Sequence, residues 1–105
     1  MTIYKSIYTL RNMWVVYEKK SLVKTISKLP LGVVKHYELW KRIVEHEGPQ
    51  GLYAIKGLHD EALKGDWKGF RSSRLTKQWR VIYKTEKQIC EIYVIDINSH
   101  DYCRR

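Results

Sequence analysis

The apolar positions of this chain change period along its length. Met13 to Tyr17 (Met-Trp-Val-Val-Tyr) is short, β-branched and aromatic, which predicts a strand. From Lys19 the spacing lengthens. Leu22, Ile26 and Leu29 lie four and three apart, on one face of a helix that Pro30 ends. Val33, Tyr37, Trp40 and Val44 then repeat at four, three and four, a second amphipathic helix closed by Gly48-Pro49. So short a link makes the pair a helical hairpin. After Gly51 the pattern turns to β. Phe70 to Leu75 is one strand. Trp79 to Thr85 is a second, with Trp79, Val81 and Tyr83 on one side and Arg80, Ile82 and Lys84 on the other. Thr76-Lys77-Gln78 is short enough to be a hairpin connection. Ile89 to Ile97 is apolar on both parities and reads as a buried central strand, paired with the strand before it through Glu86-Lys87-Gln88. The order β-α-α-β-β-β, with helices on one face of a mostly antiparallel sheet, predicts an α+β domain. With no repeat and no Pro/Gly-rich linker, residues 1–105 read as one domain with a loose leader over 1–12.

Charge sharpens this picture. Lys and Arg number 20 against 11 Asp and Glu, a formal net charge of +9 on 105 residues. Such an excess favours a polyanionic partner: nucleic acid, an anionic membrane surface or an acidic protein. The apolar runs are far shorter than the roughly 20 residues a membrane-spanning helix needs. Lys5, Arg11 and Asn12 interrupt the first apolar residues, so no signal-peptide core is present and the cytoplasm is the expected compartment. Cys90 sits in an apolar run and is expected in the core. Cys103 lies in a basic tail as a free thiol, and neither cysteine suggests a disulfide or a zinc site.

The excess is concentrated. Lys64, Lys68, Arg71, Arg74, Lys77, Arg80 and Lys84 face a single acid, Asp66, over residues 64–84, with Trp67, Phe70 and Trp79 among them. Basic groups bind phosphates and aromatic faces stack on unpaired bases. A solvated basic face is the plainer reading, with Trp79 in the core. Strand alternation separates the two. If Trp79, Val81 and Tyr83 face the helices, Arg80 points away from them, and with Leu75 inward Arg74 joins Arg80 across the hairpin. Adjacent guanidiniums repel unless an anion lies between them, and the Arg fork suits phosphate oxygens. Arg71 has the opposite parity and reaches that cleft only through a bulge. Near the end, Asn98-Ser99-His100-Asp101-Tyr102 supplies an imidazole that titrates near neutral pH and a phenol able to donate a proton or to stack.

The segment His59-Asp60-Glu61-Ala62-Leu63-Lys64-Gly65-Asp66-Trp67-Lys68-Gly69-Phe70-Arg71 resembles the H-x-L-x-G-x-W-K-G-[FY]-R stretch of YafQ-type toxins. Continued to Leu75 it also resembles the L-K-G-x-x-K-G-x-R-S-x-R-L stretch of HigB-like members. Trp79-Arg80-Val81-Ile82-Tyr83 is similar to the aromatic-Arg-x-x-Tyr strand of the RelE superfamily, and Asn98 to Tyr102 to a terminal N-K-H-[DE]-Y. The resemblance implies a RelE-like fold. It implies a type II toxin that cleaves messenger RNA, commonly in the ribosomal A site, without a metal or organic cofactor. The partners implied are a cognate antitoxin, mRNA and the ribosome, with no membrane and no small-molecule substrate. By the same resemblance Arg80 matches the strand arginine of RelE, and Arg74, which stands where YafQ-type proteins carry a histidine, would stabilise phosphate. His100 matches a C-terminal histidine and is the preferred base or acid. Tyr102 falls near a terminal aromatic position, and His59 could be a second proton carrier. His59, Lys64, Lys68, Arg71, Lys77 and Lys84 are the expected substrate contacts. The chain departs from the pattern at Gln78, where YafQ-type toxins carry an acid, and lacks the lysine pair of RelE's first hairpin strand.

Two other readings share these features. A ParE-like toxin of the same fold binds DNA gyrase, and a non-catalytic nucleic-acid-binding module would use the basic face for phosphate alone. Arg74, Arg80, His100 and Tyr102 together favour RNA cleavage.

Overall fold

A computed structural model describes residues 13–99 of the protein. Five strands form a single sheet: β1 (Val15–Glu18), β2 (Glu61–Ala62), β3 (Arg71–Arg74), β4 (Arg80–Glu86) and β5 (Glu91–Asn98). Their spatial order is β1-β5-β4-β3-β2. β1 runs parallel to β5, and the remaining pairs are antiparallel. Three helices precede the β-rich half: α1 (Leu22–Ser27), α2 (Leu31–Glu47) and α3 (Pro49–Ala54).

The predicted periodicities are those that pack. Leu22 of α1 and Val33, Tyr37, Trp40 and Val44 of α2 are buried in one cluster with Leu75, Val81, Tyr83, Ile92, Val94 and Ile97, and Trp79 packs against it. Trp40 lies between Tyr37 (centroids 5.9 Å apart, stacked) and Tyr83 (5.2 Å, edge-on), so helix and sheet meet through aromatic rings. The helices therefore cover one face of the sheet. The other, outer face carries Arg74, Arg80, Ile82 and Lys84.

The strand β2 is an element the predicted order lacks, and three further local features depart from the sequence reading. Gly48-Pro49 ends α2 but also starts α3, with Pro49 in the first turn, where its missing N–H costs nothing. Gly48 has φ +71°, and a Cβ there would stand 2.6 Å from Trp14 Nε1, so the position needs glycine on both counts. Second, β5 starts at Glu91. Ile89 lies in a 3-10 turn, 62% exposed, and Cys90 is a half-buried residue at φ +53° rather than a core residue. Third, the register of β4 on β5 slips: Ile82 pairs with Asp96 but Tyr83 pairs with Val94, leaving Ile95 as the extra residue of a bulge. Below the bulge Ile92 and Val94 enter the core; beyond it Ile97 does. The apolar character on both parities of β5 thus serves a central strand whose inward set changes parity halfway.

Candidate nucleic-acid interface

Cross-strand register defines the outer face row by row, since directly opposed residues share a face. Arg74 stands opposite Arg80, and Arg80 opposite Asn98. The next row is Glu61, Ser72, Ile82 and Asp96. Beyond it lies Lys84, Tyr93 and Tyr17. The bulge at Ile95 is what brings Asp96 and Asn98 to this face; an unbroken register would aim them at the helices and Ile97 outward.

Arg74 and Arg80 are the predicted pair, placed as predicted. Arg80 Nη1 donates to Ser72 Oγ at 3.2 Å. Arg74 Nε is buried and has no hydrogen-bond partner, a state that costs about 1–3 kcal/mol until an acceptor arrives. The ion pairs found among the described residues join Lys41 to Glu18 and Glu38, and Arg71 to Asp60; neither Arg74 nor Arg80 is among them. Asp96 is engaged elsewhere, accepting from Ile97 N at 2.9 Å and from Asn98 Nδ2 at 2.7 Å. Two adjacent guanidiniums with no ion-pair partner among the described residues leave a local positive field that a phosphodiester would neutralise.

Arg71 shares the strand but not the site. It sits opposite Tyr83 on the helix side. Its Nε donates to Asp60 Oδ1 at 2.7 Å, and its guanidinium lies 4.3 Å from the Tyr53 ring centroid. Asp60 has a fully buried side chain, and its Oδ2 accepts from the Ser73 and Tyr83 hydroxyls. Burial works against the Arg71 charge, but the hydrogen bond and field of Asp60 outweigh it and push its pKa upward. The Tyr83 phenol is driven up by burial and then by Asp60. Arg71 is therefore a charge neutralised inside the fold.

The other expected contacts are spread around the molecule. His59 is exposed with φ +43°, at the end of a 3-10 turn (Lys56–Leu58) just before Asp60. Lys64 and Lys68 are exposed, flanking a 3-10 turn (Gly65–Trp67) whose Trp67 meets Phe70 edge-on. Lys77 is exposed in the β3–β4 turn that Trp79 closes by donating its N–H to Thr76 Oγ1. Lys84 lies on the outer face, its Nζ 5.7 Å from the Tyr93 ring centroid. His100 and Tyr102 lie outside the described residues, as do the leader 1–12 and Cys103. The sequence reading missed Ser72, Asp96, Tyr17 and Tyr93 on this face. Tyr17 could have been found from its parity against Trp14 and Val16, and Ser72 from sharing the parity of Arg74. No group of three or more His, Cys, Asp or Glu side chains placed to hold a metal occurs among the described residues, and no described helix is long and apolar enough to cross a membrane.

Solved structures share this architecture. A RelE–RelB complex from the archaeon Pyrococcus horikoshii OT3 contains a chain 22% identical, superposing with a TM-score of 0.67 over 83% of this chain and 94% of that one. A YoeB dimer from Staphylococcus aureus is 17% identical, with a TM-score of 0.65 over 85% and 99%. YafQ from E. coli strain BL21(DE3) is 18% identical, with a TM-score of 0.59 over 84% and 94%. No family model and no curated protein matches the sequence. The likeness is one of fold: the chain has the RelE-like α+β fold that its motifs implied.

Proposed function

We propose that this chain is the toxin of a type II toxin–antitoxin pair, a metal-independent endoribonuclease that cleaves messenger RNA, on the ribosome in the manner its motifs suggest. The reading rests on one observation above all. Arg74 and Arg80 stand side by side on the face away from the helices, and neither is ion-paired to a carboxylate among the described residues. The RelE-like fold and the terminal Asn98-Ser99-His100-Asp101-Tyr102 motif support it.

In the proposed reaction the ribose 2′-oxygen attacks the adjacent phosphorus as a base takes its proton. A new O–P bond forms, and the bond to the 5′-oxygen breaks as an acid protonates that oxygen. The products are a 2′,3′-cyclic phosphate and a 5′-hydroxyl. The phosphorane carries more negative charge than the ground state, and the two guanidiniums are aimed where that charge grows. His100 is the proposed base or acid, since an imidazole titrates near neutral pH. Tyr102 is proposed as a second proton donor or a stacking group, and His59 as a second proton carrier. Lys64, Lys68, Lys77 and Lys84 would draw the strand in by charge. The antitoxin would lay an acidic or amphipathic segment over the Arg74/Arg80 face or beside it.

Incubation with mRNA, with and without translating ribosomes, tests the proposal, alongside a gyrase supercoiling assay. Fragments with 5′-hydroxyl ends and untouched DNA are expected, because DNA lacks the nucleophile. Gyrase inhibition without RNA cleavage would point to the ParE-like activity. Salt-sensitive RNA binding without product would leave a binding module.

A further inference from the structure

The outer face has a second chemistry, set two rows along from the arginines. Tyr17 of β1 stands opposite Tyr93 of β5, and Tyr93 opposite Lys84 of β4. The two rings are stacked, centroids 5.3 Å apart and planes within 16°. Lys84 Nζ lies 5.7 Å from the Tyr93 ring centroid. A cation and two parallel rings therefore run across three strands, ending at Tyr17 on the sheet edge, 45% exposed. Among the described residues no further ring meets Tyr17. Its Tyr93 neighbour is held in place by donating its hydroxyl to Glu91.

We propose that this column is a base-stacking subsite for single-stranded RNA, which holds a nucleotide a few residues from the phosphate at Arg74 and Arg80. The inference rests on the RNA reading of the arginine pair and adds to it where the strand runs. A base carries no net charge and exposes two π faces, so it can extend a stack whose last described ring is the exposed Tyr17. The Lys84 ammonium suits the phosphate that links such a base to the arginine site. From Arg80 to Tyr17 is four residues along the strands and two strands across, roughly 16 Å at the usual rise and spacing, which is a span of a few nucleotides. The row between holds Ile82, fully buried, and Asp96, whose carboxylate already accepts from Ile97 N and Asn98 Nδ2, with Glu61 at the far edge, away from β1. The far limit is set by charge: Glu86 stands opposite Glu91, and a phosphate backbone is repelled there. Cross-strand pairing alone would account for two rings in contact, so the test has to separate packing from recognition.

A fluorescent 12-mer RNA, 2′-O-methylated throughout so that it cannot be cleaved, is titrated with the purified chain at fixed salt. Tyr17→Leu keeps apolar bulk but has no π face, and should weaken binding roughly 5- to 150-fold. Tyr17→Phe keeps the ring and should stay within about twofold. Circular dichroism and the melting temperature of each variant verify the fold. Independently of any variant, a 4-thiouridine walked along the oligomer should crosslink to Tyr17 or Tyr93 from positions a few nucleotides from the one that protects the arginines. Equal affinity of Tyr17→Leu and wild type, or crosslinks confined to other surfaces, overturns the stacking subsite while Arg74→Ala/Arg80→Ala still abolishes binding. If wild type binds no RNA, with or without the ribosome, both readings fall together.

Discussion

Arg71 and Arg74 lie on one short strand, and their surroundings are opposite. Arg71 faces the helices, paired with a buried carboxylate and set over an aromatic ring. Arg74 faces away, beside Arg80, its Nε buried without an acceptor. The same side chain is thus a structural tie in one place and an unspent charge in the other. Sequence composition counts both equally toward the net charge of +9. Only the one left without a counter-charge can bind an anion at little cost, because the other must first give up Asp60.

Substitutions can break this contrast, and the largest effect should fall on chemistry. Arg80→Ala and Arg74→Ala are each expected to lower RNA cleavage about 10²–10³-fold, as loss of a donor to a developing oxyanion does, with neither variant destabilised by more than about 0.5 kcal/mol and Arg74→Ala, which removes an unpartnered buried donor, at least as stable as wild type. Single-turnover cleavage and denaturant titration on the same samples read both numbers; full activity in either variant removes its role. His100→Ala should cost at least about tenfold by the same assay, and an unchanged rate would take the proton-transfer role away from it.

Arg71→Ala should do the reverse. It strands the Asp60 carboxylate with only two hydroxyl donors, and a loss of about 2–3 kcal/mol in stability is expected, since breaking a buried pair costs about 3–5 and Arg71 is partly exposed. The cleavage rate of the folded fraction should hold. A stable Arg71→Ala protein with weakened RNA binding would erase the distinction between the two faces. Tyr83→Phe, which removes one of those hydroxyl donors, should cost about 1–2 kcal/mol.

Three carboxylate-bonded phenols, only one of them in this network, predict an alkaline limit. The phenols of Tyr37 and Tyr83 are raised chiefly by burial, and that of Tyr93 is pushed up to about 12 by its hydrogen bond to Glu91. Their protonated forms are favoured in the folded state, so stability is full below the ordinary phenol value of about 10. It falls as pH rises beyond that, where the unfolded chain ionises first. Unfolding midpoints at pH 9 and 11 should show the fall, shallower in Tyr83→Phe; an identical slope in that variant would remove Tyr83 from the account. The smallest effect is expected at Lys77, exposed in the turn beside the arginine pair. Lys77→Ala should reduce the salt slope of RNA binding by about 0.7, one phosphate contact's worth, without altering the cleavage rate of bound RNA.

Much of this arrangement was legible in the chain. The four-three-four spacing of Val33, Tyr37, Trp40 and Val44 gave the main helix and its buried face, because an amphipathic stripe has one stable use. The alternation of Trp79, Val81 and Tyr83 against Arg80 and Lys84 oriented β4. With Leu75 inward, it placed Arg74 opposite Arg80. Such patterns are local, and local periodicity survives into the fold whenever one face has a core to meet. The short α3 was hidden because Gly48-Pro49 reads as a stop, and its use as a junction depends on Trp14 lying against Gly48.

What the sequence determined by itself, then, is the order of the longer elements, their inward faces and the pairing of two arginines. Three things depended on contacts between distant segments. The parallel docking of β1 on β5 brings Tyr17 to Tyr93. Asp60 takes Arg71 out of the charged surface. The bulge at Ile95 turns Asp96 and Asn98 toward Arg80. An extra residue in a strand that is apolar on both parities leaves no trace in its pattern. Its place is chosen by which of Ile95, Asp96 and Ile97 the helices can bury, and that is settled only once sheet and helices have met.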